Sequence, residues 1–258
     1  MRSPRKIPKI MGILNITPDS FSDGGCYFDL EKAFDRARAM AEEGADIIDI
    51  GGESTRPGAL HISAEEELKR VLPLVEKLSQ TLSIPLSIDT MKHEVAAKAL
   101  EKGVSIVNDI SGLKGDPEMK AVVAHFKPIV VLMHSKGTPQ TMKGMSSSVE
   151  EVYKGLSESI EIAQGAQLSD EKIIIDPGLG FGKTFEDNWN ILKKLDAFLK
   201  LKYKILLGAS RKSFLGKQDS ATHAVTAWAV FKGADYVRVH NVRETKEFLK
   251  VFEKLYNV

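Results

Sequence analysis

The chain has 258 residues, 43% of them hydrophobic, and 36 basic against 35 acidic side chains leave a formal charge of +1. Acids interspersed with bases exclude the concentrated positive field that nucleic acid requires, so no nucleic-acid partner is expected. No apolar run approaches the roughly 18 residues of a membrane span, and the single cysteine, Cys26, excludes an intramolecular disulfide and a cysteine-based zinc site.

In chain order, the basic stretch Met1 to Lys9 precedes an apolar run that stops at Asn15 without a small-residue cleavage site. No signal peptide or membrane partner is expected, and the cytoplasm is the expected location. Short β-branched runs then predict strands at 9–16 (KIMGILNI), 46–52 (DIIDIGG), 85–89 (PLSID), 104–110 (VSIVNDI), 128–134 (PIVVLMH), 172–178 (KIIIDPG), 204–210 (KILLGAS) and 236–241 (YVRVHN). Between them apolar residues recur every three or four positions, as in Leu30 to Glu43 and Ala64 to Gln80, which predicts helices. Gly44, Gly103 and Gly233 each follow a helical stretch and precede a strand, where a left-handed cap is needed. Strands apolar on both faces are the signature of a buried parallel sheet. Eight of them alternating with helices predict a single (β/α)8 TIM barrel over residues 1–258 rather than an open doubly wound sheet.

In such a barrel the active site lies at the C-terminal ends of the strands. Nearly every strand here ends in a polar residue: Asn15, Asp89, Asn108, His134, Asp176, Arg238 and His240, with Asp49 inside an apolar run and read as structural. The loops at 17–29 and 53–63 are long and rich in Asp, Ser, Thr and Arg, which suits lids or binding loops. After the seventh strand, ASRKSFLG places Ser210, Arg211 and Lys212 where these barrels often hold polar substrate groups. DPGLGFGKT at 176–184 imitates a phosphate loop, but Pro177 stands where a glycine amide is required. Lys183 and Thr184 are therefore expected to be an exposed start to the next helix. HEVAA at 93–97 lacks the second histidine of a zincin, so His61, His93, His125 and His223 are read as solvated or packing residues. No G-x-S-x-G elbow supports a serine nucleophile.

NITPDSFSDGG, GADIIDIGGESTRPGA, SIDT, NDISG, LMHSKGTPQTM, IDPGLGFGK, ASRKSFLG and VRVHNV, in this order over nearly the whole chain, resemble the dihydropteroate synthases, the sulfonamide targets of folate synthesis. The resemblance implies a homodimeric, magnesium-dependent barrel that condenses 6-hydroxymethyl-7,8-dihydropterin pyrophosphate with p-aminobenzoate. It assigns the pterin pocket to Asp89, Asn108, Met133, Asp176, Lys212 and Arg238, and the pyrophosphate to Asn15, Arg56, Arg238 and His240, with Mg2+ on Asn15. The p-aminobenzoate would meet Phe21, Thr55, Arg56, Pro57, Phe181, Lys212 and Ser213, and Asp23, Asp176 and Lys212 would carry the chemistry. His223 is a departure, since a small or apolar residue would be more usual there. Ala224 to Phe231 is apolar almost all round, including Trp228, as a subunit contact would require.

Overall fold

The period-2 geometry of a strand decides which side chains enter a barrel, and here it separates an apolar floor from a polar mouth. The computed structural model describes residues 7–16, 26–56 and 58–256, apart from the side chains of 26–29 and 256. The strands are β1 (Lys9–Asn15), β2 (Ile47–Gly51), β3 (Leu86–Asp89), β4 (Ile106–Asp109), β5 (Ile129–Met133), β6 (Ile173–Asp176), β7 (Lys204–Leu207) and β8 (Tyr236–Val239). Each lies within its predicted run and is shorter by one to three residues at one or both ends. They pair in sequence order, all parallel, and β8 closes on β1. The helices are α1 (Cys26–Glu42), α2 (Ala64–Thr81), α3 (His93–Glu101), α4 (Met119–Phe126), α5 (Val149–Gly165), α6 (Phe185–Lys193), α7 (Asp219–Lys232) and α8 (Val242–Tyr256). This is the expected (β/α)8 barrel.

Local signals agree with these boundaries. Ser63 caps α2 by accepting from the Glu66 amide, Ser148 and Glu151 form a reciprocal capping box on α5, and Gly233 takes φ +91° after α7. Met11, Ile47, Ile106, Val131, Ile174, Leu206 and Tyr236 fill the lower barrel. A second, larger apolar cluster, including Leu14, Ile48, Val107, Leu132 and Ile175, joins the outward strand faces to the helices. Two positions above the floor, the same inward faces present Asp49, Asn108, Asp176 and Arg238, and higher still Gly51. The run of apolar residues in each strand thus conceals an alternation between two different interiors. Among the described residues no helix is long and apolar enough to cross a membrane.

Candidate active site

Arg238 organises the barrel mouth. Its Nε donates to Asp49 Oδ2 at 2.6 Å and its Nη2 to Asp89 Oδ2 at 2.5 Å, while Asn108 Nδ2 donates to the same Asp49 oxygen at 3.0 Å. The planar guanidinium is therefore held at two corners by carboxylates from β2 and β3. Asp49 is fully buried. Its structural reading stands, with a specific object: it fixes two members of the candidate pocket. Burial pushes the Asp89 carboxyl up to about 7, against the pull of Arg238 and with the Asp49 charge adding to the rise. Asp89 Oδ1 and Asp49 Oδ1 are buried and accept no hydrogen bond within the described residues, so the mouth holds unused acceptor capacity.

Across the barrel, Asp176 is buried and its Oδ1 accepts from the Gly178 amide at 2.7 Å. Burial raises its pKa, opposed by that bond and by Lys212, Arg238 and Lys183. Lys212 reaches in from the β7 loop with Nζ 4.2 Å from the centre of the Phe181 ring. Burial lowers its pKa to about 8, with Asp176 resisting. Met133, paired in register with Asp176, is buried beside it. Gly51 and Gly208 project no side chain between these groups: a methyl at Gly208 would meet Asp176 Oδ2 only at 3.7 Å, and one at Gly51 would lie 3.3 Å from Asn15 Oδ1.

On the anion side, the hydroxyl of Ser210 accepts from the His240 amide at 3.2 Å and lies 2.9 Å from His240 Nδ1. In the tautomer in which the hydroxyl donates to Nδ1, the neutral ring carries its proton on Nε2 as a free donor. Burial, with Arg211 and Arg238 nearby, lowers the His240 pKa to about 4. Asn15 is half-buried at the top of β1, Thr55 is half-buried, and Arg56 and Ser213 are exposed on the rim. Phe21, Asp23 and Pro57 lie outside the described residues.

Two parts of the site escape a reading by residue type. Lys183 is not the exposed helix start expected of it: the side chain is 9% exposed and donates to His134 Nδ1, His134 O and Phe181 O at 3.0, 3.1 and 2.9 Å. Thr184 is exposed and caps α6 in a reciprocal box with Asp187, as a helix start should. The reason for the difference is that the 176–184 loop folds under the end of β5, where Gly178 and Gly182 take φ +70° and +63°. A methyl at Gly178 would fall 2.0 Å from the His134 carbonyl oxygen. His134 itself turns away from the mouth, against Gly155 of α5. The second missed feature is Lys92, which binds both Glu53 and Glu67, the latter at 2.5 Å. Glu53 Oε1 also accepts from His61 Nδ1 at 3.0 Å and the Ile62 amide at 3.1 Å, closing the base of the loop that carries Thr55 and Arg56. A signal for this existed: Glu67 shares the helix face of Val71 and Leu74, an acid on an apolar stripe.

Of the four other histidines, His125 and His223 pack against rings as expected, whereas His61 and His93 sit beside carboxylates. His93 joins Asp116 and Glu94, His61 joins Glu53, His125 packs edge-on to Phe126, and His223 stacks on Phe248 at 5.5 Å. His93, Glu94 and Asp116 are also the one group of metal-ligating side chains close together among the described residues, away from Asp176 and Arg238.

Residues 11–240 match the family described as pterin binding enzyme. The dihydropteroate synthase of Bacillus subtilis is 43% identical over 256 residues, covering 96% of this chain and 88% of its own length. The chain belongs to the dihydropteroate synthase family. A Clostridium difficile dihydropteroate synthase, crystallised in the presence of pteroic acid, superposes with a TM-score of 0.92 at 42% identity, with all of both chains covered. A Xanthomonas albilineans dihydropteroate synthase with 4-aminobenzoic acid gives the same TM-score at 38% identity, again over all of both chains. In this chain Asp89, Asn108, Asp176, Lys212 and Arg238 lie together at the barrel mouth.

Proposed function

We propose that this chain joins the pterinylmethyl group of 6-hydroxymethyl-7,8-dihydropterin pyrophosphate to the amine of p-aminobenzoate, giving 7,8-dihydropteroate and pyrophosphate. The observation that carries the reading is the buried polar set at the barrel mouth, in which Arg238 donates to the Asp89 carboxylate and acts electrostatically on that of Asp176. A pterin presents a ring N–H and an amino group side by side, and the Asp176 carboxylate is an acceptor for both. Asn108 meets mixed donors and acceptors, Lys212 donates to the ring carbonyl, and Met133 lines the pocket. Arg238, held at two corners, lies across the ring, where stacking contributes about 1 kcal/mol.

Asn15, Arg56, Arg238 and the Nε2–H of His240 would hold the pyrophosphate. The donor set fits magnesium of a particular kind: Asn15 offers one hard amide oxygen and no carboxylate cage, which suits an ion bound mainly by water and substrate phosphate oxygens. Mg2+, when bound, would neutralise charge on the departing pyrophosphate. The carbon–oxygen bond breaks first in this reading, leaving a cation delocalised over the dihydropterin that the arylamine then attacks. Asp23 would stand near that cation and Phe21 would exclude water from it. Phe181, Thr55, Arg56, Pro57, Lys212 and Ser213 would wall the aminobenzoate. Exposed Trp228 and Phe231 on α7, at 43% and 46%, with Val251 and Leu255 on α8, support a homodimer through these two helices.

The experiment is pyrophosphate release from the dihydropterin pyrophosphate with Mg2+, with and without p-aminobenzoate, following dihydropteroate by chromatography. Product that appears only with both substrates is the expected result. Tight pterin binding without product would instead indicate a silent binder or a methyltransferase using the same pocket.

A further inference from the structure

The mechanism above leaves one buried cation without work. Lys183 lies under the β6 loop, and all three of its N–H donors end within the protein, on His134 Nδ1, His134 O and Phe181 O. None is left for a ligand. All three acceptors are neutral, so no carboxylate contacts the ammonium directly. Burial lowers its pKa to about 7, with Lys212 adding to the fall and Asp176 and Asp187 opposing it from a distance. Burying such a group costs free energy unless its hydrogen bonds organise something.

What it organises is visible in its partners. His134 O is the first carbonyl after β5, and Gly178 packs directly against it. Phe181 O belongs to the residue whose ring lies under Lys212. The Phe181 amide is already tied back to Gly178 O at 3.2 Å, so Lys183 fixes the next peptide unit, on the other side of the Phe181 Cα. His134 can serve because it is a neutral acceptor: burial, with Lys183 and Lys114 nearby, lowers its pKa to about 3 against the pull of Glu151. The pterin half needs none of this. Asp89, Asn108 and Arg238 are carried on strands and braced by Asp49, and Asp176 is anchored by the Gly178 amide.

We infer that Lys183 is a positioning residue for the aryl-amine half of the site, stapling the Phe181 main chain to the end of β5 so that the Phe181 ring faces Lys212. The inference rests on the reading of the function given above. Replacing Lys183 with Met removes the staple and keeps the length of the side chain. Steady-state kinetics of Lys183→Met are expected to show KM for p-aminobenzoate raised about tenfold or more, and KM for the dihydropterin pyrophosphate within about twofold of the parent. A parallel rise in both constants, or no rise in the first, overturns it. If Lys183→Met does not fold, Lys183→Gln keeps two N–H donors and should show the same split at about threefold. Amide hydrogen exchange supplies a readout independent of turnover: Gly180 and Phe181 should exchange about tenfold faster in the variant, with β3, β4 and β8 unchanged. Absence of dihydropteroate from the parent protein would defeat the functional reading alone. Unchanged exchange at Gly180 and Phe181 would defeat the staple.

Discussion

Arg238 Nε donates to Asp49 Oδ2 at 2.6 Å, joining β8 to β2 across 189 residues of chain. Asp49 lies one layer below the mouth, so it acts on a ligand only through Arg238 and Asn108. Asp49→Asn removes the charge facing Arg238 but leaves Asp89 in place. It is expected to lower stability by about 1–3 kcal/mol in urea unfolding, since one oxygen partner of a buried cation is weakened and not lost. Turnover should fall by about two orders of magnitude through misplacement of Arg238, as small displacements from a reacting geometry do. Unchanged turnover would remove Asp49 from the site.

Lys92 sits between Glu53 and Glu67, and Glu67 is 1% exposed. Burial raises the Glu67 pKa and Lys92 opposes the rise. Lys92→Met leaves two carboxylates without their cation and is expected to destabilise the fold by about 3–5 kcal/mol near neutral pH. In that variant the folded pKa of Glu67 stands still further above its unfolded value. Such a group contributes stability below the unfolded pKa and loses it as pH rises through the folded one, so the deficit should shrink on acidification from pH 7 toward about 5. Urea midpoints at the two pH values check this, and Lys92→Met/Glu67→Leu should recover most of the loss.

His134 and His240 are held neutral by burial, at about 3 and about 4. Both folded values lie below the ordinary histidine value of 6.5. Above the unfolded value neither state takes up the proton. Between the folded and unfolded values the unfolded chain binds more, so stability falls as pH falls through that window. Each histidine adds a slope of at most about 1.4 kcal/mol per pH unit. His134→Asn, which retains an acceptor for Lys183, should flatten the stability curve between about pH 4 and 6 relative to the parent. An unchanged slope would mean that His134 titrates normally in the fold.

Gly178 and Gly144 share a left-handed backbone, at φ +70° and +79°, but not a neighbourhood. A methyl at Gly144 meets nothing within 4 Å, and one at Gly178 meets the His134 carbonyl oxygen at 2.0 Å. Gly144→Ala should cost about 1–2 kcal/mol from backbone strain alone. Gly178→Ala must in addition displace the β6 loop from β5, and is expected to cost well over about 3 kcal/mol and to weaken pterin binding through Asp176. Thermal unfolding of the two variants, with pterin binding measured by calorimetry, separates strain from collision.

Periodicity and punctuation made the barrel legible before any coordinates. Each strand was a short β-branched run, each helix had its own apolar face, and Gly44, Gly103 and Gly233 sit at φ +98°, +103° and +91°. Asp89, Asn108, Asp176 and Arg238, expected at the mouth from their strand-end positions, lie toward the C-terminal ends of β3, β4, β6 and β8. His134 was the exception. It follows β5 by one residue and falls on the outward parity, which carries it to α5 instead of the mouth.

What the sequence determined by itself is therefore what local pattern carries, namely element type, order and the closed parallel sheet, while the candidate pterin set Asp89, Asn108, Asp176, Lys212 and Arg238 came from the family resemblance. Tertiary structure alone decided the pairings among charges. Lys183 reads as an exposed helix start in GFGKT and is buried only because two loops meet over it, and Lys92, which no local pattern marks, is half-buried between acids from two other segments. The physical reason is range. Helix and strand periods act over a few neighbours, whereas the partner that makes a buried charge tolerable is supplied by whichever distant segment the closed barrel brings within about 3 Å.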